Sequence, residues 1–189
     1  MIDFLENYRK KLKDILSNIE LDSIQLIISA LEKTVKNNSK VYVLGNGGSS
    51  ATASHMANDL GVGLRRRGII NINIMSLGDN SSVTSAIAND IGFENIFYMQ
   101  LKDILMPDDL IIAISCSGNS SNIIKVVDYA QKVGSTVIGI TGFDGGELKK
   151  KSDINFHVDV QNEEYGLVED VHMILDHMIY SYYIDKGDS

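Results

Sequence analysis

The chain has 189 residues, 44% of them hydrophobic and 22% charged, with a formal net charge of −8. That length holds one domain with a substantial core, leaves little room for two, and the ordinary composition excludes a disordered chain. The acidic balance excludes a general attraction to nucleic acid or to an anionic membrane surface, so an anionic ligand must be held locally by backbone dipoles and hydroxyls.

Residues 2–18 set Ile2, Leu5, Tyr8, Leu12, Ile15 and Leu16 three and four apart, which predicts an amphipathic helix rather than the unbroken apolar core of a signal peptide. A second helix is expected over residues 23–36, capped by Asp22 or Ser23, with Ile24, Ile27, Ile28, Leu31 and Val35 on its apolar side. Neither helix alternates with strands. Residues 1–37 therefore read as an extension in front of an α/β unit, and the stripe on the first helix favours pairing with another subunit.

Residues 41–44 read as a strand buried on both faces, as in parallel sheets. It stops at Gly45, Gly47 and Gly48, whose backbone N–H groups lie uncovered, and Ser49 and Ser50 add hydroxyls where a helix starts. A helix N-terminus of this kind binds phosphate without a lysine; the plainer reading is a Gly-rich turn. Two other phosphate loops are excluded. A P-loop needs Gly-Lys-Ser/Thr after its glycines, and the dinucleotide pattern finds Ser50 at its last glycine, with its acidic partner Asp79 well beyond the usual ~20 residues.

Arg65, Arg66 and Arg67 read as a solvated loop. Residues 69–77 alternate Ile70, Ile72 and Ile74 with Asn71 and Asn73, which predicts a strand near a sheet edge. A helix follows from Asn80 or Ser81 to about Ala88, then another up to Met106, stopped by Pro107. Residues 109–115 are the next buried strand, and it too ends in a small polar loop before a helix from Ser120 to Val133. Residues 136–141 and 155–160 are further strands flanking a short helix, and a terminal helix runs over 166–184. Strands separated by helical crossovers make a parallel sheet, whose C-terminal ends bring the two polar loops to one crevice. The single cysteine, Cys116, forms no internal disulfide, which fits a reducing cytoplasm. No apolar run reaches ~18 residues, so no membrane span is expected.

His55 and Asp59, four apart, share one helix face about 6 Å apart along the axis, close enough to grip a metal or pass a proton. On the terminal helix, Glu169 and His177 lie about 12 Å and about 80° apart, too far to share a metal from one continuous helix. Either the helix starts after Glu169 or the two serve different sites in an oligomer. His172 and Asp176 are a structural i, i+4 pair in this reading. Cys116 reads as a neutral loop residue, His157 as a packing residue in a strand, and Asn89 with Asp90 as a helix end or a reach into the crevice.

GNGGS after the first strand, SxSGNSxN after a later one, TGFDGGEL and the terminal EDVHMILDH together resemble the SIS (sugar isomerase) domain family, most closely its phosphoheptose isomerase branch. The resemblance covers nearly the whole chain. It implies a single α/β domain: a three-layer αβα sandwich with a five-stranded parallel sheet, flavodoxin-like and doubly wound, behind the two N-terminal helices. It further implies a cytoplasmic homotetramer with sites between subunits. The activity implied is isomerisation of sedoheptulose 7-phosphate to D-glycero-D-manno-heptose 7-phosphate, the first step toward activated heptose for lipopolysaccharide or capsule. By the same resemblance Ser115, Cys116, Ser117 and Ser120 cradle the phosphate, while Asn46, Gly47, Gly48, Asn89 and Asp90 lie along the sugar. His55, Asp59, Glu169 and His177 fall at the zinc positions, and Asp59 and His177 are the acid/base pair. Two positions depart from the best-known members, which have glutamate at Asp59 and glutamine at Glu169. A non-catalytic relative that associates with the replication initiator is the alternative, as is an isomerase of another phosphosugar; ionisable residues at 59 and 177 favour an enzyme.

Overall fold

The computed structural model describes residues 1–187. Helices α1 (Ile2–Asn18) and α2 (Leu21–Lys36) precede β1 (Val41–Gly45). Helix α3 (Gly48–Met56) then continues through a π-helical turn, Ala57–Gly63, into the short α4 (Leu64–Arg66). The remaining elements are β2 (Ile74–Ser76), α5 (Ser81–Ile91), α6 (Tyr98–Leu101), β3 (Leu110–Ser115), α7 (Ser121–Val133), β4 (Thr136–Gly142), α8 (Gly146–Lys151), β5 (Ile154–Val158) and α9 (Tyr165–Gly187).

The five strands are parallel in the order β2-β1-β3-β4-β5. Because successive strand side chains point to opposite faces, the apolar runs divide into two cores. Val41, Val43, Leu110, Ile112 and Ile114 pack under α2, α3 and α9; Tyr42, Leu44, Ile111 and Ala113 pack under α6 and α7. Three layers result, as the family resemblance implies. The connection leaves β1 toward β2 on one side and returns to β3 on the other. The chain therefore changes direction between β1 and β3, and a crevice opens at the carboxyl ends of those two strands.

Three local expectations need correction, and one alternative left open is decided. Only Ile74–Ser76 of the 69–77 stretch pairs as a strand, because Ile74 N bonds the Ile72 carbonyl at 3.0 Å and bends the chain just before it. The stretch before Pro107 is not one helix: left-handed backbone at Gly92 (φ 98) and Asp103 (φ 64) breaks it into a 3₁₀ turn, Phe93–Asn95, and α6. Helix α2 starts at Leu21 behind Glu20, without a side-chain cap from Asp22 or Ser23. Finally, α9 runs unbroken through both Glu169 and His177. Among the described residues no helix is long and apolar enough to cross a membrane.

Candidate active site

Two loops meet at the switch point. Gly47 (φ +54) turns the chain from β1 into α3, and Gly118 (φ +64) does the same between β3 and α7. Asn46 and Asn122 clasp the loops together by exchanging two side-chain hydrogen bonds of 2.9 Å. The Gly118 N–H donates to Ser115 Oγ at 3.1 Å, and a Cβ at Gly118 would collide with the Gly145 carbonyl. The TGFDGGEL turn thus presses on the serine loop from behind, tied to it by Leu148 N to the Gly118 carbonyl (2.9 Å) and Glu147 N to Asn119 Oδ1 (3.1 Å). A cleft of ≈ 190 Å³ lies in front, lined by Asn46, Ser49, Ser115, Cys116, Ser117, Ser120, Tyr165 and Glu169. Ser120 precedes α7 without making a side-chain cap, so its hydroxyl and the amides of Ser121 and Asn122 are available to an anion, while the Ile123 amide donates to the Ser120 carbonyl. Burial, reinforced by the charge of Glu169, pushes the Cys116 thiol up to about 11, so it stays protonated at neutral pH, as its reading as a neutral loop residue requires.

The second constellation lies along α3 and α9, which pack against each other. His55 Nε2 is 3.1 Å from His177 Nε2, 3.4 Å from Asp59 Oδ2 and 3.9 Å from Asp176 Oδ2. One donor atom from each of the four residues lies within 4.8 Å of the others. Asp59 sits in the π-helical turn, the kind of widened turn often found at functional sites. Asp176 is fully buried, and neither of its oxygens has a hydrogen-bond partner among the described residues. Burial, then the neighbouring charge of Asp59, raises its carboxyl to about 7. His177 is exposed, so the cluster runs from the interior to the surface.

The sequence profile of the SIS domain family matches residues 3–142. The chain is 36% identical to a phosphoheptose isomerase of Aliarcobacter butzleri over 149 residues, covering 78% of this chain and 76% of the other. The chain belongs to the SIS domain family. A phosphoheptose isomerase of Trichlorobacter lovleyi is 37% identical, with 77% and 76% covered. A solved phosphoheptose isomerase from Francisella tularensis superposes with a TM-score of 0.86 at 26% identity, covering 98% of each chain.

Within this SIS domain, the structure gathers the sequence-derived residues unevenly. Asn46, Ser115, Cys116, Ser117, Ser120 and Glu169 line one cleft; Gly47 faces a neighbouring, more apolar one. Gly48 lies directly against the Glu169 carboxylate, which would have to move to admit a side chain there. Asn89 and Asp90 are exposed at the end of α5, hydrogen-bonded to each other at 2.9 Å and outside both clefts of their own chain. Within one chain Glu169 does not join His55, Asp59 and His177, because the unbroken α9 holds it about 12 Å along the axis from His177.

Asp176 joins them instead, and it does not pair with His172, whose Nε2 donates to the Thr141 carbonyl at 3.2 Å. The expectation of a structural i, i+4 pair was misplaced. Its signal was legible, since Asp176 interrupts an otherwise apolar run beside His177. Asn122 was missed as well, although it closes the SxSGNSxN motif.

Proposed function

We propose that the chain is an aldose-ketose isomerase, a phosphoheptose isomerase converting sedoheptulose 7-phosphate to D-glycero-D-manno-heptose 7-phosphate. The reading is supported by the relatives that carry that name and by one structural observation. A cleft lined by serine hydroxyls and the Cys116 thiol takes residues from α3 and α9, the two packed helices that also carry His55, Asp176 and His177 of the His/Asp cluster. An isomerase of a phosphorylated sugar needs both, one to anchor the phosphate and one to move protons at the other end of the chain of carbons.

The phosphate docks against Ser115, Ser117 and Ser120 and the amides of Ser121 and Asn122 at the start of α7, with the Asn46–Asn122 clasp fixing the loops around it. Asp59 removes a proton from the carbon next to the ketose carbonyl. The enediol so formed closes to the aldose when a proton is delivered to the former carbonyl carbon, while His177 moves hydroxyl protons between the two oxygens. Tyr165 and Glu169 face the bound sugar phosphate from the start of α9.

His55, Asp59 and His177 are suited to hold zinc. Two imidazole nitrogens 3.1 Å apart are close to the ~3.3 Å ligand spacing that follows from zinc bonds of about 2.0–2.1 Å, and nitrogen with carboxylate oxygen is a donor set zinc accepts. A zinc ion there supplies Lewis-acid polarisation of the substrate carbonyl. In this reading residues 1–189 act as one SIS domain in a cytoplasmic homotetramer, residues 1–37 supply oligomer contacts, and Asn89 and Asp90 serve a neighbouring subunit's site. Lipopolysaccharide or capsule synthesis would use the product.

Incubating the protein with sedoheptulose 7-phosphate, with and without a chelator, tests the reading. The expected outcome is an aldose 7-phosphate that disappears when the metal is stripped. Absence of any aldose from the metal-loaded protein would favour a non-catalytic interaction role or another phosphosugar.

A further inference from the structure

Asp176 is an unusual residue for its position. A carboxylate fully removed from solvent is normally paired, because an isolated buried charge is strongly unfavourable. Here neither oxygen finds a hydrogen-bond donor among the described residues, and the nearest cationic candidate is His55, with Oδ2 3.9 Å from its Nε2. His55 Nε2 also faces His177 Nε2 at 3.1 Å and Asp59 Oδ2 at 3.4 Å. Four potential donors therefore converge on one point, and their three separations from His55 bracket the ~3.3 Å edge of a tetrahedron with zinc-like bonds. Every protein partner that would explain Asp176 is itself a metal-ligating side chain.

Glu169 is excluded from that point within the chain, as shown above. Its carboxylate lies against Gly48 and lines the serine-loop cleft. From this placement we infer that Asp176, not Glu169, is the fourth protein ligand of the metal, so that one chain supplies the whole set as His55, Asp59, Asp176 and His177. The inference rests on the metal-assisted reading of the site given above. It assigns two neutral imidazoles and two carboxylates to a divalent cation, a set with no net charge. It also leaves Glu169 free to face the substrate, where its charge acts on binding of the phosphosugar rather than on the metal.

The test is Zn²⁺ affinity of the full chain, measured by competition with a chromophoric chelator, for wild type, Asp176→Asn and Glu169→Gln. Asp176→Asn is expected to weaken Zn²⁺ by at least tenfold, the scale on which even outer-shell changes act, while Glu169→Gln stays within a few-fold of wild type. A second readout separates ligation from damage to the fold. Removing an unpaired buried carboxylate raises the thermal midpoint of the metal-free protein, and Zn²⁺ then adds less to it than it adds to wild type. Co²⁺ substitution gives a third, as its visible bands shift when a carboxylate leaves the coordination sphere. Wild-type affinity in Asp176→Asn, or a larger loss in Glu169→Gln, would overturn the assignment while leaving the metal site standing. A wild-type chain with no measurable Zn²⁺ binding would overturn the metal reading itself, and this assignment with it.

Discussion

At the scale of single residues, the chemistry depends on where Asp59 is held. An aspartate is one methylene shorter than the glutamate that the family resemblance leads one to expect here, and a misplacement of about 1 Å is enough to lose ~10²-fold in rate. The π-helical turn around Asp59 changes the direction in which its side chain leaves the helix, and its Oδ2 reaches 3.4 Å from His55 Nε2. Asp59→Asn keeps the shape and removes the base. The expected outcome is a fall in kcat of ~10²-fold or more with phosphate affinity unchanged, read by steady-state kinetics and by phosphate competition. A variant with wild-type kcat would remove Asp59 from the proton path.

His172 makes a separate prediction, about stability. Burial pushes its imidazole down to about 4, with its bond to the Thr141 carbonyl opposing the shift. In the unfolded chain the group titrates near 6.5, so between those values the unfolded state binds a proton that the native state does not. Stability from this source is complete above pH ~6.5 and is lost as pH falls toward 4, on the order of 3 kcal/mol in all. His172→Gln retains a side-chain N–H for Thr141 and does not titrate. The wild-type advantage in urea midpoint at pH 7 is therefore expected to shrink at pH 4.5. Asp176 titrates in the opposite sense over an overlapping range, but it is present in both proteins and drops out of the difference.

At the scale of elements, the site is a product of strand order and of turns that only particular residues can make. The clasp between Asn46 and Asn122 holds the two loops at a fixed separation, and Asn122 is 1% exposed, so a lost partner leaves a buried amide unsatisfied. Asn122→Ala is expected to raise KM for the phosphosugar severalfold and to cost about 1–3 kcal/mol in chemical denaturation. An unchanged KM would mean that the loops are positioned without the clasp.

Much of this level was legible in the sequence. Long apolar runs such as Leu110–Ser115 and the glycines after β1 and β3 state strand and turn directly, because a doubly covered strand has no polar face to confuse the pattern. What the sequence concealed was produced by tertiary contact. The π-helical turn leaves no mark on hydrophobic periodicity, the pairing of Ile74–Ser76 alone depends on an edge position, and the placement of Asp176 beside His55 depends on how α9 crosses α3.

At the scale of the whole molecule, the open question is what completes a site that begins in the interior and ends at exposed His177. Helix α1 gives a direct indication. Its later apolar residues Leu12, Ile15 and Leu16 pack partly against the first core, but Ile2 and Leu5 remain 68% and 58% exposed in the single chain. Exposed residues on one stripe contribute little to the fold they belong to, and they fit an interface with another copy. Replacing both by glutamate is then expected to leave the thermal midpoint of the protomer within a few degrees of wild type while breaking the assembly, seen as a lower mass by light scattering. Because His55, Asp59, Asp176 and His177 all come from one chain, Zn²⁺ affinity should survive dissociation. In the proposed reading isomerase activity should not, since Asn89 and Asp90 line neither cleft described above and are assigned there to a neighbouring subunit's sugar. Dissociated protomers with full activity would place the whole reaction inside one chain. Dissociated protomers that lose Zn²⁺ as well would move a ligand to the neighbouring subunit.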